Sequence, residues 1–130
     1  MMPIQEIVEK LNQALTNVDF NKDEVENLLV LLTEHQQVKV KILDFEYYNE
    51  ERLEYAKNEK SKEVKFQNFE QAASWRHREK KILKYIELRK EFNIKKSGFH
   101  FEEEFLFFFY LGTEKNDKLF KEIIINKFKI

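Results

Sequence analysis

The sequence predicts an all-α fold, a small bundle of about five to six helices in a single domain spanning residues 1–130, containing a long helical hairpin at about residues 53–92. Three observations lead there. Apolar residues recur at three- and four-residue spacing along much of the chain. Gly (2) and Pro (1) are so scarce that a β-rich fold with many tight turns is disfavoured. Charged residues make up 36%, which suits helices with one apolar stripe and a charged outer face. A chain of 130 residues with 42% hydrophobic residues and 13 Phe can bury a sizeable core, and this excludes a disordered chain.

The first helix is expected from Pro3 to about Leu15. Pro3 suits a first helical position, and Ile4, Ile7, Val8, Leu11 and Leu15 form one stripe. After a connection at Thr16 to Phe20, Asn21 can cap a second helix, with Glu24 at the capping-box position. Phe20 and Val25 suit the flanking hydrophobic staple, and Val25, Leu28, Leu29 and Leu32 line one face.

Val38 to Glu54 has two readings. Val38, Val40 and Ile42 alternate with Lys39 and Lys41 as in a short strand, whereas Val38, Ile42, Phe45 and Tyr48 fit a helix. No partner strand is evident, so a helix is expected, continuing through Leu53, Ala56, Lys60 and Val64 to Lys65. A break follows at Phe66-Gln67-Asn68. Asn68 can cap a long helix from Phe69 to about Phe92, roughly 35 Å at the usual rise per residue. Its expected stripe is Phe69, Ala72, Ala73, Arg76, Leu83 and Ile86. Asn93 to Gly98 reads as a loop.

The last third is rich in aromatics. Phe101, Phe105, Phe108 and Leu111 share helical spacing, and Glu102, Glu103 and Glu104 lie where a helix N-terminus favours negative charge. A helix ending at Gly112 is expected; a buried strand over Glu104 to Leu111 is the competing reading, since aromatics favour strands. Leu119, Phe120, Ile123, Ile124 and Lys127 suggest a final helix.

The core run Asn68-Phe69-Glu70-Gln71-Ala72-Ala73-Ser74-Trp75-Arg76-His77-Arg78-Glu79-Lys80-Lys81, within about Lys57 to Leu83, resembles a UVR motif. Such motifs occur in the middle region of Clp-family unfoldases and in excision-repair nuclease subunits B and C. The resemblance covers about a fifth of the chain. It rests on Phe-Glu, the alanine pair and Arg76 at their offsets. His77 replaces the family's Asp, and Trp75 replaces its usual Leu. The resemblance implies a helical hairpin that docks against a second hairpin. Paired alanines would let two helices approach closely, Phe69 would fill the space beside the turn, Glu70 would sit near the helix N-terminus, and Arg76 would reach a carboxylate or a carbonyl across the hairpin. Asp44-Phe45-Glu46 with Arg52 repeats the spacing of Asn68-Phe69-Glu70 with Arg76, with Tyr47-Tyr48 in place of the alanines.

Other chemistry is disfavoured. With no Cys, disulfides, thiolate nucleophiles and Cys-ligated zinc are excluded. His35, His77 and His100 form no metal-ligand spacing, and Glu102-Glu103-Glu104 do not converge on one face of a helix. No phosphate-binding glycine loop or nucleophile signature is present, so no catalytic, cofactor-binding or metal residues are assigned. Arg76, His77, Arg78, Lys80 and Lys81 make a basic run beside Trp75, but Glu79 interrupts it, and 23 Lys+Arg against 24 Asp+Glu argue against a nucleic-acid surface. No apolar stretch reaches the ~20 residues of a membrane span. The first six residues lack a signal-peptide pattern, so a cytoplasmic location is expected.

The expected function is therefore non-catalytic: an interaction module or adaptor acting through the hairpin, with Trp75, Arg76, His77, Arg78 and Glu70 at the partner surface. The resemblance implies a Clp-type unfoldase or a repair subunit as partner. The alternative is an immunity or antitoxin protein that neutralises a bacterial toxin by binding it.

Overall fold

The computed structural model describes residues 2–35 and 37–130. It corrects the all-α expectation: five helices accompany a three-stranded mixed sheet, with 59% helix and 13% strand. The order is α1 (Ile4–Thr16), α2 (Lys22–Thr33), β1 (Lys39–Asp44), α3 (Glu50–Lys65), α4 (Phe69–Glu91), β2 (Gly98–Glu102), β3 (Phe105–Tyr110) and α5 (Asp117–Phe128). The chain forms two compact units. One comprises Met1–Leu43 and Lys95–Ile130; the other, Asp44–Ile94, is inserted between β1 and β2.

The first unit packs α1, α2 and α5 with the sheet. Ile7, Val8, Leu11 and Leu15 of α1 are buried, as their stripe predicts, together with Val25, Leu28, Leu29 and Leu32 of α2. Asn21 caps α2, its side chain accepting from Asp23 N and Glu24 N. Phe20 meets the ring of Phe120 at 5.1 Å. From α5, Phe120, Ile123 and Ile124 complete the core with Phe99, Leu106, Phe108 and Tyr110.

The strands replace two expected helices. Val40 and Ile42 pack on the core while Lys39 and Lys41 are exposed, so β1 follows a two-residue period. Its partner is β3, at the centre of the order β1-β3-β2, and Lys39 N–H donates to Glu104 O at 2.8 Å. The insertion between β1 and its partner is why pairing left no local trace. The second replacement is the antiparallel β2–β3 hairpin, in register Gly98↔Phe109 to Glu102↔Phe105. Leu106, Phe108 and Tyr110 point inward, alternating with half-buried Phe105, Phe107 and Phe109. The three glutamates do not start a helix; Glu103 turns the hairpin with φ 57°. Six consecutive large apolar residues fit a pleated strand with two packed faces better than one helix stripe.

The second unit is an antiparallel helical pair. Asn49 caps α3 by accepting from Arg52 N at 2.9 Å. Both helices end in the same way. Gln67 (φ 60°) follows α3 and Asn93 (φ 51°) follows α4. Asn68 N–H returns to Glu63 O and Gln67 N–H to Val64 O; Ile94 and Asn93 repeat this with Arg89 O and Lys90 O. These paired bonds satisfy the last helical carbonyls and reverse the chain within two residues.

The seam of the hairpin differs from its expected stripe. It runs through Ile82 and Ile86 on α4 and Ala56 on α3, with Leu53, Tyr48 and Trp75 packed around them, and Ala72 of α4 is also buried. Ala73 and Arg76 are exposed, Phe69 is 66% exposed and Leu83 43%. Asn68 occupies the N-cap position without a capping bond; its amide donates to Glu63 Oε2 at 2.8 Å. Lys60 and Glu79 meet across the seam at 2.6 Å. Ala72 and Ile86 are buried as the expected stripe has them, whereas Trp75 and Ile82 take the places expected of Arg76 and Leu83.

Candidate functional site

A cleft of about 500 Å³ lies on the hairpin. Its first wall comes from the turn between β1 and α3. Asp44 Oδ1 accepts from Tyr47 N at 2.9 Å, Asp44 O accepts from Tyr48 N at 3.1 Å, and Asn49 Nδ2 donates to Glu46 O at 2.7 Å. These bonds fix Tyr47 and Tyr48 before α3 begins. Tyr48 stacks on Tyr85 of α4 at 4.2 Å, and Phe45 meets Tyr85 edge-on at 5.7 Å.

The facing wall is helical. Arg52 and Tyr55 lie one turn apart on α3; Trp75, Arg78 and Ile82 follow one another at three- and four-residue spacing on α4, with Lys81 alongside. Tyr55 meets Trp75 edge-on at 5.7 Å. Buried Ala56 and Ile82 supply the apolar part of the lining.

Three cations rest on three rings. The Arg52 guanidinium lies 3.8 Å from the centre of Tyr47, that of Arg78 lies 4.5 Å from Trp75, and Lys81 Nζ lies 5.1 Å from Tyr48. A cation over an aromatic face is stabilised by the ring quadrupole while its N–H groups remain available. The hydrogen bond between Lys81 and Tyr48 holds the amine above its ordinary range. Burial raises the Tyr85 hydroxyl first, and the neighbouring Tyr48 adds to the effect, so it stays protonated to higher pH than a free tyrosine.

The structure brings Trp75, His77 and Arg78 of the expected surface together in this cleft. Arg76 and Glu70 are exposed on α4 but do not line it. Sequence reasoning missed Tyr47, Tyr48, Arg52, Tyr55 and Lys81 as one group. The available signal was three of the chain's five tyrosines within a nine-residue stretch that also carries Arg52.

The lining offers positive charge, N–H donors and ring edges, and no carboxylate. Among the described residues no group of His, Cys, Asp and Glu could hold a metal ion, and no helix is long and apolar enough to cross a membrane. No family model, curated protein or solved structure matches this chain.

Proposed function

We propose that this chain is a non-catalytic protein-interaction module of the cytoplasm that engages its partner through the Trp75 face of the α3/α4 hairpin. The observation that carries the reading is the half-buried Trp75 with Arg78 stacked on it, set in a concave surface. Tryptophan and arginine in such pockets are the side chains that most often anchor protein interfaces. The UVR resemblance supports the same surface, since it too falls on α4. The exposure of Ala73 weighs against the close helix approach which that family's alanine pair implies.

Site-directed photo-crosslinking in the native cell tests the reading. A crosslinker at His77 should give one discrete protein adduct, and Arg78→Glu should abolish it. A crosslinker at exposed Glu9 of α1 should give none. An adduct with a Clp-type unfoldase or repair subunit supports the adaptor form, and one with a nuclease or hydrolase toxin supports the immunity form. Absence of any adduct from the hairpin sinks the proposal.

A further inference from the structure

Resting on that reading, we infer that the cleft takes a short acidic stretch of the partner, with two or three Asp or Glu carboxylates binding Arg52, Arg78 and Lys81. Charge complementarity carries the argument. These three cations line the cleft with no acidic residue among them. Among the described residues, none of the three enters an ion pair. Glu79, the acid that interrupts the basic run of α4, is turned into the hairpin seam and paired with Lys60 at 2.6 Å. It therefore leaves the positive charge of the cleft uncancelled.

The rings sharpen the choice of ligand. Arg78 covers one face of Trp75, Arg52 a face of Tyr47 and Lys81 a face of Tyr48. A flat base would have to displace a cation from each of those faces. A carboxylate meets the guanidinium N–H forks and the positive ring edges without displacing anything. Buried Ala56 and Ile82 can receive the methylenes of Asp or Glu.

The positive region is also short. The adjoining cleft shares Tyr48 but is lined by Glu50 and Glu51 as well as Arg89 and Lys90. A long polyphosphate backbone leaving the first cleft in that direction would meet those carboxylates. The chain's net charge of −1 offers no compensating long-range attraction. A local acidic peptide escapes both penalties.

Trp75 is the chain's one tryptophan, so its emission reports occupancy of the cleft directly. The intact chain should be titrated with a hexaglutamate peptide, and separately with oligothymidylate and with inorganic phosphate. Hexaglutamate should change the emission saturably, and the effect should weaken as salt is raised to about 0.3 M, where screening shortens the reach of exposed charges. The double variant Arg78→Glu/Lys81→Glu, and independently Arg52→Glu on the facing wall, should each weaken binding at least about tenfold while circular dichroism stays unchanged. No saturable response to hexaglutamate overturns the inference, as does equal affinity in both variants. Oligothymidylate binding about tenfold tighter than hexaglutamate would assign the cleft to nucleic acid instead, and phosphate binding as tightly would assign it to a free oxyanion. If the His77 crosslink persists while hexaglutamate fails, the acidic chemistry falls and the interface stands. If hexaglutamate binds but no crosslink forms, the interface reading falls instead.

Discussion

Asn12 of α1 clamps the backbone of Phe99 with both ends of its amide. Its Oδ1 accepts from Phe99 N at 2.7 Å and its Nδ2 donates to Phe99 O at 3.1 Å. Phe99 lies on β2, an edge strand, opposite Phe108. Because both backbone groups of Phe99 face Asn12, the pair with Phe108 is the non-hydrogen-bonded kind, in which side chains sit closest. The two rings accordingly stack at 4.7 Å. One side chain thus satisfies an open sheet edge and ties it to α1.

Asn12→Ala should cost about 1–3 kcal/mol, because it leaves two part-buried backbone groups without partners. It should also expose an edge capable of pairing with another chain. Thermal melting reads the first effect and concentration-dependent sedimentation the second. An unchanged melting temperature would show that water replaces the amide without loss.

The helices α1 and α2 were legible because their signals are local. Four buried positions in each fall on the predicted stripe, and Asn21 caps where the capping box places it. Of the strands, β1 and β3 were legible only as the competing readings over Val38–Ile42 and Glu104–Leu111, and β2 not at all, because their stabilisation is remote. Val40 and Ile42 alternate in the sequence, yet the strand they pair with lies beyond the inserted hairpin. Asn12 is an unremarkable polar residue on a helix until Phe99 is brought beside it. The cleft was half legible for the same reason: Trp75, His77 and Arg78 are neighbours in sequence, whereas Tyr47 and Arg52 join them only through the fold of the hairpin.

Ser97 and Asp117 form a second polar lock in the same unit. Ser97 Oγ donates to Asp117 Oδ2 at 2.5 Å and accepts from Leu111 N at 2.9 Å, while Glu114 N donates to Asp117 Oδ2 at 3.1 Å. Both side chains are buried, and Asp117 is fully so. Ser97→Ala strands the Leu111 N–H and removes a donor from a buried carboxylate. A loss of about 2–3 kcal/mol is expected from chemical denaturation. A cost under about 0.5 kcal/mol, the level of an ordinary surface change, would contradict this account of the lock.

Tyr85 makes stability fall in alkali. Its folded pKa lies above that of an ordinary tyrosine, chiefly through burial and then through Tyr48. The folded state therefore favours the protonated hydroxyl. That contribution is fully present below about pH 10 and is lost as pH rises through the folded value. Lys81 acts in the same direction, since its charged form is held by Tyr48. The melting temperature should decline more steeply above pH 10 in the natural chain than in Tyr85→Phe. Parallel declines would remove Tyr85 from the explanation.

The alanines of the hairpin separate the observed seam from the one expected from sequence. Ala73 is exposed, so Ala73→Leu should change stability by less than about 0.5 kcal/mol, as surface substitutions usually do. Ala56 is only 1% exposed and packs with Ile82 and Ile86. There a leucine must find room for three more carbons between two helices, at a cost of ~1–3 kcal/mol. Ala56 also lines the cleft, so a leucine that turns outward instead would fill the space meant for the ligand. The variant thus faces two outcomes, a lowered melting point or an altered Trp75 emission with weakened hexaglutamate binding. If Ala56→Leu melts, emits and binds like the natural chain while Ala73→Leu is destabilised, α4 presents its other face to α3, and the seam described above is wrong.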